Sequence, residues 1–252
     1  MTSPRAANER EPHADLDIHS RRAKAIKIER LLNLESAPRP IRLLEIGTGS
    51  GVIAHHFATH PGLGCEVSAV DLIDQRVLSD GYHFELVEGT RLPFEDSSFD
   101  VVLSNHVIEH VGDEKDQRAH LDEIERVMDV GAVGYLATPN RWALLEPHFR
   151  LAFLSWLPRS SRDRYIQVMG RGDRYDCEPL SSRNLHRLLD EVGFEYEHVE
   201  AEALSVANEV EPASSISGTL GRRFAVPFLA YLSAASPTFV CRLSTPERAH
   251  GQ

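Results

Sequence analysis

Cysteine is scarce: Cys65, Cys177 and Cys241 are all that occur in 252 residues, and no two form a C-x-x-C pair. This spacing indicates neither a disulfide framework nor a cysteine zinc site, and a cytoplasmic location is the simplest expectation. Positive charge is also in deficit. Lys and Arg total 27 against 38 Asp and Glu, a formal net charge of −11, which argues against a general nucleic-acid binder while leaving room for a local basic patch. Long apolar runs are missing too. The strongest, Phe224 to Val240, falls short of the roughly twenty residues a spanning helix needs and is broken by Pro227 and Pro237, so it is expected to be buried or interfacial. Met1 to His19 is polar and lacks the apolar segment of a secretory signal, so residues 1–20 are expected to form a loose arm. There is no internal repeat, and the length suits one domain over residues 21–252.

What the chain does have is concentrated in Leu43-Leu44-Glu45-Ile46-Gly47-Thr48-Gly49-Ser50-Gly51. An apolar strand runs into a turn with glycine at every second position, and about twenty residues later a second apolar run ends in Asp71. Such a strand, turn, helix and strand-tip acid hold an adenosine-containing cofactor. A dinucleotide turn reads G-x-G-x-x-G and faces a pyrophosphate. Here Glu45 precedes the turn; its carboxylate would repel a pyrophosphate but suits the cationic amino-acid end of S-adenosylmethionine.

The chain resembles the class I S-adenosylmethionine-dependent methyltransferases, in particular the branch with quinone-biosynthesis enzymes. The resemblance continues through Val67 to Asp71, Glu88 to Val102, Val107-Ile108-Glu109-His110-Val111 and Ala137-Thr138-Pro139-Asn140, in the family's order over roughly residues 41–140. It implies an α/β, Rossmann-like class I methyltransferase fold: a seven-stranded, mostly parallel sheet with helices on both faces and an antiparallel last strand.

Apolar spacing agrees. It predicts helices over 21–34, 51–60, 116–128 and 184–191, and strands over 41–46, 65–70, 84–87, 99–104, 132–137, 194–199 and 238–243. Residues 142–180 and 203–236 lack a regular pattern and are expected to be insertions that cap the substrate pocket.

The resemblance assigns cofactor binding to Glu45, Gly47, Thr48, Gly49, Gly51, Asp71, Leu72, Gly89, Thr90, Arg91 and Asn105. The glycines would admit the cofactor to the backbone, or else form an ordinary tight turn. Asp71 would accept both ribose hydroxyls, or cap a helix. Glu45 would act on the methionine ammonium directly or through water and backbone, and Leu72 and Ile73 would sandwich the adenine. The family often places Gly-Asp-Ala where this chain has Gly89-Thr90-Arg91, so the acid for the adenine amino group is missing.

In-line methyl transfer needs positioning and a proton acceptor, not a covalent nucleophile. His148 is the expected base, or a surface histidine, and His106 competes with it. His106, Glu109 and His110 form an H-x-x-E-H spacing that on a helix would share a face and could ligate a divalent ion, as a related E-x-x-E-H segment does in some quinone O-methyltransferases; capping and packing are the alternative, and no metal is expected. Leu151 to Leu157, with Arg159, Arg162, Arg164, Arg171 and Arg174, reads as an apolar lid with a basic edge. That lid would receive a small or lipid-like acceptor or touch a membrane surface, or else pack as a small helix with a solvated face. The expected activity is methyl transfer to a small or lipophilic acceptor, most simply at oxygen. The rivals are a non-catalytic cofactor-binding module and a nicotinamide dehydrogenase.

Overall fold

The computed structural model describes residues 17–210 and 236–246. Seven strands form one sheet: β1 (Ile41–Ile46), β2 (Cys65–Asp71), β3 (His83–Leu86), β4 (Phe99–Asn105), β5 (Met128–Pro139), β6 (Glu195–His198) and β7 (Thr238–Ser244). Their order is β3-β2-β1-β4-β5-β7-β6. All pairs are parallel except those made by β7, which runs antiparallel to both β5 and β6.

Period-two alternation sorts each strand between two cores. Leu44 and Ile46 of β1, Val70 of β2 and Val102 of β4 face one side, where helices α3 (Glu114–Val127) and α5 (Ser182–Val192) bring Leu121, Ile124, Leu185 and Leu188. Leu43, Val67, Ala69, Val101 and Leu103 face the other, covered by α1 (Ile18–Leu31), α2 (Val52–Thr59) and α6 (Glu200–Val210) through Ile28, Phe57 and Ala203. Helix ends follow side-chain chemistry. Asp113 makes a reciprocal capping box with Asp116 on α3, Ser181 caps α5 through Asn184 N–H, and Gly193 closes it in the left-handed conformation.

Several expectations need correction. α1 starts at Ile18, because Asp17 accepts the Ser20 N–H, and stops at Leu31, so it begins inside the stretch expected as an arm. β5 begins four residues before the apolar run at Ala132. Within 142–180 lies a helix, α4 (Arg159–Val168), whose buried side chains are Arg162 and Ile166, too few apolar positions to register as a stripe. α6 occupies the start of the second patternless connection, and it too buries little, only Ala203. The rest of that connection, and most of Phe224 to Val240, lie outside the described residues. Among the described residues no helix is long and apolar enough to cross a membrane.

The strand order reverses between β1 and its two neighbours, β2 and β4, which is where a doubly wound sheet opens a crevice at its carboxyl ends. Register brings the tips level. Ile46 lies opposite Val70 and Ser104, and Asn105 opposite Ala137. Gly47, Asp71, Asn105 and Thr138 therefore all emerge at one edge.

Candidate active site

A cavity of about 680 Å³ occupies this edge. One end is the glycine turn. Gly47 and Gly51 both sit at φ +76° and Gly49 at φ +54°, a region glycine enters without strain. Their roles nevertheless differ. A Cβ on Gly51 would lie 2.1 Å from the Leu78 carbonyl oxygen and 2.3 Å from the Tyr82 hydroxyl, and one on Gly47 would lie 2.4 Å from Val107. Bare Cα atoms at 47 and 51 thus let the fold close, and Gly51 does not line the cavity, whereas Gly47 and Gly49 do. Gly89 is the reverse case: at φ +68°, its missing side chain faces open space, and it lines the cavity beside Thr90.

Asp71 lines the same end. Its Oδ2 accepts the Gly49 N–H at 2.8 Å and its Oδ1 the Leu72 N–H at 2.7 Å, so it fixes the turn as well as facing the cavity. Glu45 is placed otherwise than expected. It is buried beneath the turn, does not line the cavity, and its Oε2 accepts the Ala54 N–H at 3.0 Å, capping α2 from below. Burial pushes its carboxyl up to about 8, against the partial relief of Arg21 and the Ala54 N–H. Any action on a cofactor ammonium is therefore through space or backbone. Thr48 is also turned inward, donating to the Val70 carbonyl at 3.2 Å, and Arg91 is exposed; neither lines the cavity. Leu72, Ile73 and Asn105 do, and the buried Asn105 Oδ1 has no hydrogen-bond partner among the described residues.

The other end is a histidine cluster around Glu109. His106 leaves β4 at φ +59°, and Ile108–His110 is a 3-10 turn, not an α-helix. The H-x-x-E-H spacing therefore splits. His106 Nδ1 lies 3.2 Å from Glu109 Oε1, whereas His110 Nδ1 turns to the Cys177 thiol at 3.8 Å. The trio His106, Glu109 and His110, weighed as a metal alternative, does not converge on one point. His148 joins instead, its Nε2 3.4 Å from Glu109 Oε1 and its ring 5.0 Å from that of His110. Glu109 is fully buried and also accepts from Thr138 Oγ1 at 3.1 Å. Burial works to raise its carboxyl, but His106 and His148 outweigh it and hold the group well below the usual range. Burial lowers His106, with Glu109 only partly opposing. For His148 burial also works downward, but Glu109 prevails and raises it.

The cavity wall further includes Arg21 and Lys24 of α1, Arg150 and Asp176, none of them expected as site residues. Cys177 lies 67 positions from His110, so no local spacing could have paired them. The cap that carries His148 and Cys177 has its own small core of Phe149, Leu151, Leu154, Ile166, Tyr175 and Cys177. Buried Arg162 ties it internally, donating to the carbonyls of Leu157 at 2.9 Å and Ser155 at 3.1 Å.

The residues present fit S-adenosylmethionine: an acid at the β2 tip, an open position at Gly89 and an unmatched acceptor on Asn105. Comparison with known proteins agrees. The family model described as "Methyltransferase domain" matches residues 18–199. A ubiquinone biosynthesis O-methyltransferase of Paramagnetospirillum magneticum is 31% identical over 147 residues, covering 51% of this chain and 55% of that protein. A malonyl-[acyl-carrier protein] O-methyltransferase of Salmonella typhimurium is 30% identical, covering 56% and 53%. The chain thus spans about half the length of the curated relatives it matches. Among solved structures, a TehB-like S-adenosylmethionine-dependent methyltransferase of Corynebacterium glutamicum superposes with a TM-score of 0.51 at 13% identity, covering 89% of this chain and 88% of that one. The [4+2]-cyclase SpnF superposes at 0.50 and 17% identity, covering 86% and 81%, so the fold alone does not name the reaction.

Proposed function

The chain belongs to the methyltransferase family, and from that premise we propose that it uses S-adenosylmethionine as methyl donor and that the acceptor is a small or lipophilic molecule methylated at a hydroxyl oxygen. The family match argues against the dehydrogenase alternative. The bound donor supplies an electrophilic methyl group on a sulfonium. The protein's task is then to align the acceptor, exclude water and take up one proton.

One observation carries the choice of oxygen: a buried carboxylate orients an imidazole on the cavity wall. Glu109 accepts only, so the nitrogen facing it, His106 Nδ1, carries the proton and Nε2 keeps its lone pair. Burial keeps this ring neutral near physiological pH, and Glu109 stabilises the imidazolium that forms once a hydroxyl proton has moved to Nε2. A neutral amine attacks through its own lone pair and has less need of such a base at that stage. Of the two candidate bases this reading takes His106, because His148 is drawn toward its charged form. Asp71, Gly49, Gly89 and Asn105 would hold the donor, and Lys24 and Arg150 line the wall of the same cavity.

Incubation with methyl-labelled donor and a panel of phenols, hydroxylated lipids and amines tests the proposal. Label on a hydroxyl oxygen is the expected result. Label found only on nitrogen or carbon would reject it.

A further inference from the structure

The geometry points to a zinc-class metal site at the acceptor end of the cavity, built by His110, His148 and Cys177. It goes beyond methyl transfer and does not rest on the acceptor's identity. One ligand atom from each of the three residues lies within 4.8 Å of the other two. Cys177 Sγ and His110 Nδ1 are 3.8 Å apart. Zinc bonds of about 2.3 Å to sulfur and about 2.0–2.1 Å to nitrogen, at a tetrahedral angle, separate the two donors by roughly 3.6 Å. That pair therefore already stands near binding separation, and the His148 ligand atom lies within 4.8 Å of both. A thiolate with two imidazoles selects zinc or a similarly soft ion over magnesium or calcium, which require oxygen.

The scaffold around the ligands supports the arrangement. The backbone of Glu178, next to Cys177, donates to the Glu109 carbonyl at 2.7 Å, and Gln117 Nε2 bridges the carbonyls of Glu178 and Ile108 at 2.8 and 3.3 Å. These bonds lock the Cys177 segment against the His110 turn. Glu109 Oε1 lies 3.4 Å from His148 Nε2, where a carboxylate can orient a metal-bound imidazole. A second grouping, His106 with Glu109 and His148, competes for His148. Glu109 is engaged there by His106 and Thr138 on its two oxygens, so it serves better as the orienting carboxylate than as a ligand.

Three protein ligands leave a fourth position, the pattern of a catalytic rather than a structural zinc. His110 and His148 both line the cavity, so the fourth position is available to an acceptor oxygen. On binding, the Cys177 S–H bond breaks, a metal–sulfur bond forms and the proton goes to solvent, with no change in oxidation state.

The full chain, stripped with chelator and titrated with cobalt(II), provides the test. A single ion per chain should produce a near-ultraviolet thiolate-to-cobalt charge-transfer band that zinc abolishes. The protein has three thiols, so the band should survive Cys65→Ser and Cys241→Ser and vanish in Cys177→Ser. His110→Ala should weaken zinc at least about 100-fold, and Glu109→Gln about 10- to 100-fold, with S-adenosylhomocysteine affinity confirming that each variant is folded. Wild-type protein that binds no cobalt, or binds it without the band, would overturn the proposal. So would a band that survives Cys177→Ser, or one that depends on Cys65 or Cys241. The wild-type spectrum and the two retaining variants are decisive by themselves, even if Cys177→Ser misfolds.

Discussion

The two ends of the cavity are built on opposite principles. At the donor end one contiguous run, residues 43–51, with Asp71 opposite, fixes the site through backbone conformation: positive-φ glycines and main-chain N–H groups bound by a carboxylate. At the acceptor end side chains from three distant segments meet, and two of those segments belong to a cap with a separate small core. The first end is part of the sheet and cannot change without damage to it. The second depends on side chains carried by a cap with its own small core.

The sharpest way to break this contrast is at glycine. Gly51→Ala forces a Cβ to 2.1 Å from the Leu78 carbonyl at φ +76° and should cost about 3 kcal/mol or more, lowering the thermal unfolding midpoint by roughly 6–12 °C. Gly89→Ala meets nothing within 4 Å. It should cost only about 1 kcal/mol of stability and act instead by lowering S-adenosylhomocysteine affinity in calorimetry. Equal effects of the two on stability would erase the distinction between packing and binding glycines.

Next in size is the cap. Arg162→Ala removes a buried guanidinium that bonds two carbonyls and leaves those acceptors unmet, a loss of roughly 3 kcal/mol confined to the cap. Hydrogen exchange should accelerate over residues 149–177 while the sheet keeps its protection. Acceleration throughout would show that the cap is not a separate unit. Asp71→Asn follows, with an expected loss of about 10- to 100-fold in cofactor affinity, the worth of one charged hydrogen-bond acceptor at this site. Unchanged affinity would assign Asp71 to the turn alone.

A different kind of test is pH dependence. The Glu45 carboxyl titrates near 8 in the folded chain against an ordinary 4.5, so the folded state holds a proton that the unfolded state has released. Stability from this group therefore falls as pH rises from about 4.5 to about 8 and is level outside that window. Denaturant titrations should show a flatter decline over that range in Glu45→Gln. Identical slopes would mean that Glu45 is already ionised.

The same contrast explains what was legible in the sequence. The donor end could be read because its determinants are local: glycines at alternate positions, an acid at a strand tip, apolar runs that alternate between two cores. Even there, which glycine binds and which packs was not readable, since the neighbours of Gly51 are Leu78 and Tyr82. The inward turn of Glu45 and Thr48 was equally hidden. At the acceptor end His106, Glu109, His110 and His148 stood out singly, but a helical reading of 106–110 put His106, Glu109 and His110 together, whereas the fold sets His148 beside Glu109 and turns His110 toward Cys177. The positive φ at His106 and the 3-10 turn after it come from tertiary contact. Helices α4 and α6 escaped because each buries so few apolar side chains.

Both ends meet in one proposition: a single cavity joins a backbone-built donor site to an imidazole that takes the proton of the acceptor hydroxyl. It is best probed by single-turnover transfer of labelled methyl to the best hydroxyl acceptor, compared between wild type and His106→Gln, with S-adenosylhomocysteine affinity measured on the same preparations. Transfer should fall by about 10²- to 10⁴-fold while donor-site affinity stays within about twofold. Undiminished transfer, or a parallel collapse of cofactor binding, would contradict it.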